Sequence, residues 1–543
     1  MLGMKASSKS KDGKKKSGPM NVDSARESGK GSSDRLRTQQ QKVRKDKRGL
    51  MAKRQRGIGQ DSEQTQKKML AAEELHKLAN VAKTIDVSSP EFPATLADVR
   101  KVLCYNDPPI QMILEAGFLE KIIVSLHSAS DATKSDAIWC LTNIATGTQQ
   151  QTKQVLHAVP ILLQIISGNC VLLSEQACWT IGNVAGDSDE FRTTLIANGS
   201  IHALGDFLQK SITAAAADPT NTDLHNTRAS TASWALSNLA RGSSTARSFI
   251  DVGIVPFLLS LTNYIDRTVA KEVWWIFTFL SAKEEESVTV LLQQGLIQAL
   301  DTSFKGLKPE DVVNIPIVRT LGNLTSGPVE WINGIMGSGD LILSLKVLTA
   351  DTSTTNHALL KECMWSINNI LGGSPECRTA LLKVGILDNI IPVIYSDQFE
   401  LQKESIFALR HASQDHQALI HLLQSEGKKL FQYLIDFIRV ADNDMAIAAI
   451  QILRALAFAT NDSKSSVTDE YLNMGMLDEL ESLEYTDASD SLIRIAKTAA
   501  DDLFEPSDDE VIDEPVAAFD FTPAQQPAGP RNVSNKPSWM MDS

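Results

Sequence analysis

The chain has 543 residues, of which 43% are hydrophobic and only 6% aromatic, a balance typical of helix-rich proteins. It contains no run of 18 or more apolar residues, so we expect no membrane-spanning helix. The first residues, MLGMKASSKSKDGKKK, have no apolar core, so we expect no secretory signal. The net charge of −13 is unevenly distributed, because residues 1–56 hold 18 Lys+Arg against 5 Asp+Glu and residues 57–543 hold 35 against 61. A basic arm is therefore joined to an acidic body. This arrangement favours an acidic protein partner, a nucleic acid, or an arm that folds back on the body.

Both ends of the chain differ in composition from its middle. Residues 1–34 are rich in Ser, Gly and Lys, and we expect this N-terminal tail to be disordered. Residues 35–60 contain the basic run RLRTQQQKVRKDKRGLMAKRQR, which has helix formers but little apolar surface. This segment is expected to fold only on a partner. Residues 505–543 are acidic and then Pro-rich, which predicts a flexible C-terminal tail.

Between residues 70 and 504 the sequence repeats itself. The core units are DAIWCLTNIATGT, EQACWTIGNVAGDS, TASWALSNLARGS, KEVWWIFTFLSAK, PIVRTLGNLTSG, KECMWSINNILGGS and the weaker KESIFALRHASQD. Their anchor positions are Trp139, Trp179, Trp234, Trp275, Arg319, Trp365 and Phe407. The spacing is 40 to 46 residues, apart from one interval of 55 that contains an extra stretch at 211–223, which we interpret as a loop.

A second feature follows about 20 residues after an anchor. Segments such as ILEAGFLEKIIVSL and LIANGSIHALGDFL place a glycine between two helical patterns, as expected where one helix stops and another starts. A period near 42 residues with two or three helices per unit is typical of armadillo or HEAT repeats. We therefore predict an all-α, right-handed armadillo-repeat superhelical solenoid of about nine to ten repeats, with disordered tails at both ends.

Four of the Trp anchors are followed four residues later by an asparagine. Residues four apart lie on one face of a helix, so the pairs would form a ladder along the groove of a solenoid. The four asparagines are Asn143, Asn183, Asn238 and Asn369. The alternative is that the Trp side chains fill the core between repeats. The asparagines argue against it, because a buried amide needs partners that an apolar core does not supply.

Such a ladder is suited to an extended basic peptide. Asn amides can bond both the N–H and the C=O of a peptide backbone. Neighbouring Trp rings form slots for long aliphatic stems, and their faces attract the cations at the tips. A carboxylate at the end of a slot, such as Asp187, can pair with a lysine. The ladder therefore predicts a linear Lys/Arg-rich ligand.

The phrases WCLTNIATGT, EQACWTIGNVAGDS and WALSNLARG resemble the second, third and fourth armadillo repeats of the importin-α (karyopherin-α) family, and the likeness extends from about residue 35 to 505. The resemblance implies a major cargo site that binds nuclear localisation signals, with Asp187 taking the critical lysine. The implied residues are Trp139, Asn143, Gly147, Thr152, Gln176, Trp179, Asn183, Asp187, Trp234 and Asn238.

The resemblance also implies a minor cargo site. Its residues would be Arg319, Asn323, Trp365, Asn369 and Glu404. The sequence departs from the family pattern here, because Phe407 and His411 replace the last Trp–Asn pair and Pro328 replaces an acidic residue. The repeat at Trp275 also carries Phe279 in place of a polar or tyrosine partner. We therefore expect the minor site to be the weaker of the two.

The basic arm resembles a segment that binds the carrier importin-β. The residues implied in carrier binding and in autoinhibition of the groove are Arg44, Lys45, Lys47, Arg48, Lys53, Arg54 and Arg56. Other interpretations are a solvated charge run or a nucleic-acid patch. The resemblance further implies a recycling exportin with RanGTP as a partner of the acidic tail and last repeat. It implies shuttling between cytoplasm and nucleus through the nuclear pore, with no direct nucleic-acid or membrane partner.

No pattern in the sequence indicates an enzyme. The nine histidines are scattered, and we find no phosphate-binding loop, dinucleotide fingerprint or nucleophile elbow. The six cysteines lack metal-ligand spacing, so we expect reduced structural thiols and neither a metal nor a cofactor. The competing interpretation is an armadillo scaffold for protein interactions without a transport role. The Trp–Asn ladder and the basic arm favour the transport adaptor.

Overall fold

The computed structural model describes residues 72–105, 107–243, 245–305, 307–337, 339–350, 356–439, 442–459 and 463–504. Within these ranges the chain folds into helices and contains no β-strand, so the all-α prediction is confirmed. The expected tails 1–34 and 505–543 and the basic segment 35–60 lie outside the described residues.

The described helices are short and follow one another closely. The first fourteen α-helices are α1 (Ala72–Thr84), α2 (Phe92–Leu103), α3 (Ile110–Glu115), α4 (Phe118–Ser125), α5 (Asp131–Ile144), α6 (Gln149–Val155), α7 (Val159–Ser167), α8 (Val171–Ala185), α9 (Asp189–Ala197), α10 (Ser200–Ala217), α11 (Thr222–Ala240), α12 (Thr245–Asp251), α13 (Val255–Ser260) and α14 (Arg267–Leu280). The others are α15 (Glu285–Gln293), α16 (Leu296–Phe304), α17 (Asn314–Thr325), α18 (Val329–Met336), α19 (Gly339–Thr349), α20 (His357–Leu371), α21 (Pro375–Lys383), α22 (Leu387–Ile394), α23 (Phe399–Ala412), α24 (His416–Ser425), α25 (Gly427–Ile438), α26 (Asn443–Ala457), α27 (Ser463–Asn473), α28 (Met476–Ser482) and α29 (Asp490–Phe504). Short 3-10 helices cover Leu156–Ala158, Pro219–Asn221 and Leu483–Tyr485.

From α3 onward the described helices are arranged in threes, which gives nine consecutive repeat units after the pair α1 and α2. The third helices of units 1 to 9 are α5, α8, α11, α14, α17, α20, α23, α26 and α29. Each third helix contacts the third helix of the next unit, and α2 contacts α5 in the same way. The third helices therefore form one continuous layer, as in an armadillo solenoid.

A left-handed glycine separates the first and second helices of most units. Gly199, for example, has φ +85° between α9 and α10, and nothing lies within 4 Å of the position that its Cβ would occupy. Backbone conformation, and not lack of space, therefore selects glycine there. The glycines of the other predicted stop-and-start segments, among them Gly117 and Gly385, also have positive φ. This confirms the prediction of a helix boundary at these segments.

The extra stretch at 211–223 is helical, which contradicts its interpretation as a loop. Helix α10 continues through it to Ala217, and only four residues separate α10 from α11. Four consecutive alanines end at Ala217, and alanine has the highest helix propensity of any residue type. Asp218 then ends the helix, because its carboxylate accepts the backbone N–H groups of Thr220 and Asn221. The two turns added to α10 make this helical hairpin longer than its neighbours.

The core lies between the helices of each unit and its neighbours. Trp274 shows how the two faces of a third helix are separated, since it is completely buried and donates its indole N–H to the carbonyl of Thr262 at 3.1 Å. The adjacent Trp275 is only half-buried. One side of α14 thus fills the core, and the other side carries the predicted anchor Trp275.

Candidate functional site

The predicted ladder lies on the layer of third helices. We use the term rung for the anchor residue of a third helix together with the residue four positions later. The rungs are Trp139/Asn143 on α5, Trp179/Asn183 on α8, Trp234/Asn238 on α11, Trp275/Phe279 on α14, Arg319/Asn323 on α17, Trp365/Asn369 on α20 and Phe407/His411 on α23. Because consecutive third helices are in contact, the structure brings these pairs together along one face.

The rung amides bond to the preceding repeat unit. Asn183 donates to the carbonyl of Thr142 at 3.1 Å, and Asn238 donates to the carbonyl of Gly182 at 3.0 Å. In each case the acceptor is the residue just before the rung asparagine of the previous third helix. Asn323 donates in the same way to Thr278 at 2.8 Å, and Asn369 to Gly322 at 3.2 Å. Asn143 donates to the sulfur of Cys104 at 3.4 Å.

These bonds correct part of the argument from sequence. We expected the amides to avoid the interior, but Asn143 and Asn323 are only 3% exposed. The amides find a hydrogen-bond partner in a backbone carbonyl near the end of the preceding third helix. The carbonyl oxygen has a second lone pair that the helix does not use. Asn183, Asn238 and Asn369 remain half-buried. One N–H of each amide is committed to the scaffold, so an amide holds its orientation before any ligand arrives.

The anchor rings pack on the same residues of the preceding unit. A Cβ at Gly182 would lie 2.4 Å from Cζ3 of Trp234, and a Cβ at Gly322 would lie 2.1 Å from the same atom of Trp365. The half-buried rings of Trp179 and Trp234 meet edge to face, with centroids 6.1 Å apart. Trp365 is buried, with 2% exposure. The Trp365 ring therefore fills the space between repeats, as the alternative interpretation predicts. The Trp179 and Trp234 rings fill it only in part.

The remaining residues of the implied major site lie around the ends of α5 and α8. Gly147 and Asp187 each follow a rung asparagine by four residues, in the turn after the helix, and Asp187 is half-buried. Gln176 donates to the hydroxyl of Ser135 at 3.0 Å. Thr152 is completely buried and donates to the carbonyl of Ala145, so it holds the turn in place and does not face the ladder.

An aromatic and cationic block occupies the middle of the ladder. The rings of Trp275 and Phe279 are stacked with centroids 5.8 Å apart. The guanidinium of Arg319 lies 5.5 Å from the Trp275 ring, and that of Arg241 lies 5.9 Å from the Phe279 ring. Both distances are within the range of cation–π attraction. This block follows the residues of the implied major site and includes Arg319 of the implied minor site.

An inter-repeat ion pair holds Arg319 in this position. Its Nε donates to Oε1 of Glu362 at 2.9 Å, and Glu362 is only 2% exposed. Burial raises the pKa of Glu362, and the guanidinium of Arg319 opposes that shift. A buried charge without a partner would destabilise the fold. The ion pair therefore stabilises the contact between α17 and α20.

The last rung has two cations beside its anchor ring. The Lys403 ammonium lies 5.8 Å and the Arg410 guanidinium 5.6 Å from the Phe407 ring, and Lys403 also pairs with Asp442 at 2.5 Å. His411 packs against Gly372. Burial, together with nearby arginines, lowers the pKa of His411 to about 4, so the imidazole is neutral at pH 7.

Glu404 is the acidic residue of the implied minor site. It is 6% exposed and accepts a hydrogen bond from the Asn368 amide at 3.3 Å. Burial raises the pKa of Glu404 to about 7. Near neutral pH the carboxyl group is therefore only partly ionised, which weakens it as a partner for a basic residue.

One set of implied site residues cannot be placed in the structure. The basic residues implied in carrier binding and autoinhibition, Arg44, Lys45, Lys47, Arg48, Lys53, Arg54 and Arg56, lie outside the described residues. In the described ranges no group of three or more His, Cys, Asp or Glu side chains could hold a metal ion. No helix in those ranges is long and apolar enough to cross a bilayer. The six cysteines are free thiols.

The small residues under the anchors were missed from sequence. They occupy the position three residues after each anchor in five successive units and are Thr142, Gly182, Ser237, Thr278 and Gly322. Alignment of the repeats on their anchors would have shown this column of small side chains. At Gly182 and Gly322 the reason is the Trp ring of the next unit, which lies 52 and 43 residues further along the chain and becomes visible only in the structure.

A family profile for the Armadillo/beta-catenin-like repeat matches residues 106–146. A crystal structure of an engineered protein superimposes with a TM-score of 0.66 at 22% identity, over 79% of this chain and 98% of that one. Both matches agree with the armadillo-repeat solenoid fold described above.

Curated proteins of similar sequence are importin-α subunits. Importin subunit alpha-9 of Arabidopsis thaliana is 27% identical over 56% of this chain and 58% of its own length. Importin subunit alpha-2 of Oryza sativa subsp. japonica is 26% identical over 58% of both chains, and importin subunit alpha-2 of Caenorhabditis elegans is 24% identical over 54% and 56%. The chain spans just over half the length of these curated relatives. Over that shared part the chain is similar in sequence to importin-α subunits.

Proposed function

We propose that the protein is a nuclear import adaptor that binds Lys/Arg-rich nuclear localisation signals along the ladder. The observation that carries the proposal is the run of consecutive Trp–Asn rungs on α5, α8 and α11. The names of the importin-α relatives support the same role.

The chemistry of the major site follows from the rung geometry. Asn183 and Asn238 each spend one N–H on the preceding helix, which leaves one N–H and the oxygen to bind the backbone of an extended peptide. The Trp179 and Trp234 rings, in edge-to-face contact with centroids 6.1 Å apart, form an aromatic wall along which an aliphatic stem can pack. Asp187, one turn beyond Asn183, receives the lysine ammonium at the end of that wall.

The minor site is proposed to bind more weakly. Trp365 is buried and Glu404 is only partly ionised near pH 7. At the last rung the Arg410 guanidinium lies beside the Phe407 ring, and its charge disfavours a second basic cluster. Signals with one basic cluster are therefore expected to bind almost as tightly as signals with two.

The basic segment 35–60 is proposed to bind an importin-β carrier and to compete for the ladder when no carrier holds it. A tethered ligand acts at an effective concentration that reaches about the millimolar range. Release of the segment by the carrier would then raise cargo affinity. Shuttling between cytoplasm and nucleus, with a recycling exportin and RanGTP at the C-terminal end, completes the proposed cycle.

Titration of a fluorescent PKKKRKV peptide into the full chain tests the cargo site. We expect binding that falls at least tenfold in Trp179→Ala/Asn183→Ala and in the single charge reversal Asp187→Lys. The exposed Asn198→Ala is the matched control and should bind as the unmodified chain does. Equal binding by all four proteins, or none by the unmodified chain with a carrier present to displace the arm, would reject the cargo site.

The second candidate function is an armadillo scaffold for protein interactions without a transport role. The buried Trp365 and the carbonyl-bound asparagines favour it, because both have a structural reason to exist without a ligand. The two functions differ in the response to basic peptides. A scaffold would bind the PKKKRKV peptide no better than an acidic control peptide of the same length. It would not accumulate a basic-tagged cargo in nuclei.

A further inference from the structure

One edge of the ladder carries a row of exposed apolar residues. Leu224, Ile265 and Val312 lie at or just before the first turns of α11, α14 and α17, and they are 45%, 84% and 57% exposed. We call these three residues and their flanking segments 218–226, 263–268 and 307–314 the rim. An isoleucine that is 84% exposed contributes nothing to the core, so a function outside the fold is the better explanation of the row.

Contacts between the units hold the rim together. The Tyr264 hydroxyl donates to Oδ1 of Asn226 at 2.9 Å, which joins the start of α14 to that of α11. Arg267 pairs with Asp311 at 2.6 Å, which joins α14 to α17. The three apolar residues are therefore carried by neighbouring helix starts that are tied to one another. Packed helices lie about 8–10 Å apart, which sets the spacing of the row.

The rim is acidic as well as apolar. Its segments contain five carboxylates and two Lys/Arg side chains. The carboxylates are Asp218, Asp223, Asp266, Glu310 and Asp311, the two cations are Arg267 and Lys308, and His225 is the one further titratable group. Each apolar residue has an acidic neighbour in the sequence. The surface therefore suits a helix with an apolar stripe between basic flanks.

The chain itself contains such a sequence in a part that the structure does not describe. In the basic run, Leu36, Val43 and Leu50 recur every seven residues, so they would share one face of a helix. Seven residues rise about 10.5 Å along a helix, which matches the spacing of the rim. Residues 35–51 also hold seven Lys/Arg and one Asp, opposite in charge to the rim. Gly49 weakens an isolated helix, so helix formation is expected to accompany docking.

We propose that residues 35–51 dock as a helix along the rim, with Leu36, Val43 and Leu50 against the row of apolar residues. The 20 residues from 52 to 71 can span up to about 66 Å. The rim at α11 to α14 lies three to four helix spacings from α2, or about 40 Å at most, so the connection is long enough. The docked segment would be ordered while its end, residues 53–56, remains beside the ladder. The inference does not depend on the ladder binding basic peptides.

Photo-cross-linking of the full chain tests the docking. With p-benzoylphenylalanine in place of Val43, we expect intramolecular cross-links, assigned by tandem mass spectrometry, to concentrate within 218–226, 263–268 and 307–314. The same probe at Ser8 should give no such concentration. Ile265→Asp/Val312→Asp should lower the yield at least fivefold. Val124→Asp is the matched control, since Val124 is 53% exposed on α4 and outside the rim, and it should leave the yield unchanged.

Several results would overturn the proposal. They are cross-links that concentrate on rung residues, cross-links spread over the surface, an equal loss in the rim and control variants, and cross-links only between two chains. Because the readout is the position of a covalent bond and not affinity for a basic peptide, failure here is distinguishable from failure of the cargo site. Both substituted rim residues are exposed, and an unchanged thermal midpoint confirms that the variants fold.

Discussion

The indole ring of Trp234 lies directly over Gly182 of the preceding repeat unit, so closely that a Cβ on Gly182 would come within 2.4 Å of the ring. The carbonyl oxygen of the same glycine accepts the side-chain amide of Asn238 at 3.0 Å. Both members of one rung therefore hold a single residue of the previous unit. Trp365 and Asn369 hold Gly322 in the same way.

Gly182→Ala should destabilise the protein even though alanine is the better helix former. Within a helix the exchange normally stabilises by about 0.5–1 kcal/mol, but here the new methyl group meets the Trp234 ring, and overpacking costs about 1–3 kcal/mol. Urea denaturation of the full chain measures the difference. Gly186→Ala is the matched control, because the nearest atoms to its Cβ are at an ordinary 3.4 Å, and it should be neutral or stabilising. Equal effects of the two changes would refute the steric account.

Asn323→Ala should lower stability independently of any ligand. It removes hydrogen bonds to the Thr278 carbonyl at 2.8 Å and the Ser281 hydroxyl at 3.0 Å, and the amide is 3% exposed. Loss of such buried bonds costs about 1–3 kcal/mol. The exposed Asn198→Ala should change the free energy of unfolding by less than half of this. If the two variants were equally stable, the asparagine would have no structural role.

Glu404 should make the stability of the protein fall as the pH rises from about 4.5 to 7. Its pKa is raised from 4.5 in the unfolded chain to about 7 in the folded one, so the folded state binds more protons in this window and is favoured at its acidic end. The effect is at most about 3 kcal/mol, from 1.36 kcal/mol per pKa unit. Glu404→Gln removes the titration, so the gain in stability over the unmodified chain should grow from pH 5 to pH 7. A pH-independent difference between the two chains would contradict the assignment.

Restoration of the last rung with Phe407→Trp/His411→Asn should strengthen the minor site. An asparagine at 411 can donate to the carbonyl of Asn368, as the other rungs do, and the packing of His411 on Gly372 shows that the side chain reaches the preceding helix. A gain of about 1 kcal/mol corresponds to roughly fivefold tighter binding. The affinity ratio of a peptide with two basic clusters to a peptide with one should rise by this factor. His416→Asn, an exposed change outside the ladder, should leave the ratio unchanged.

The repeat and the ladder could be predicted from the sequence because both depend on local spacing. An anchor and an asparagine four residues apart share a helix face whatever the rest of the chain does, and a glycine between two helical patterns marks a helix end. The error at 211–223 arose where two local rules conflict. Asp218 and Pro219 favour a turn, whereas the four alanines before them extend the helix to Ala217.

The partners of the asparagines could not be predicted in the same way. Thr142 and Asn183 are 41 residues apart, and only the packing of two third helices brings the carbonyl to the amide. The burial of Thr152 and Trp365 likewise depends on neighbouring helices. That any rung residue contacts a ligand stays a prediction, since a side chain held by the scaffold and one held ready for a peptide have the same sequence pattern.

Each rung amide forms a hydrogen bond to the previous unit and so links neighbouring units at the ladder. The twist between two units is limited by how far the amide of Asn183 or Asn238 can move from its carbonyl. A peptide that binds those same amides would therefore also set the pitch of the superhelix, and a change of curvature would alter affinity in return. The curvature of the solenoid and the binding of a peptide to the rungs would then be thermodynamically coupled.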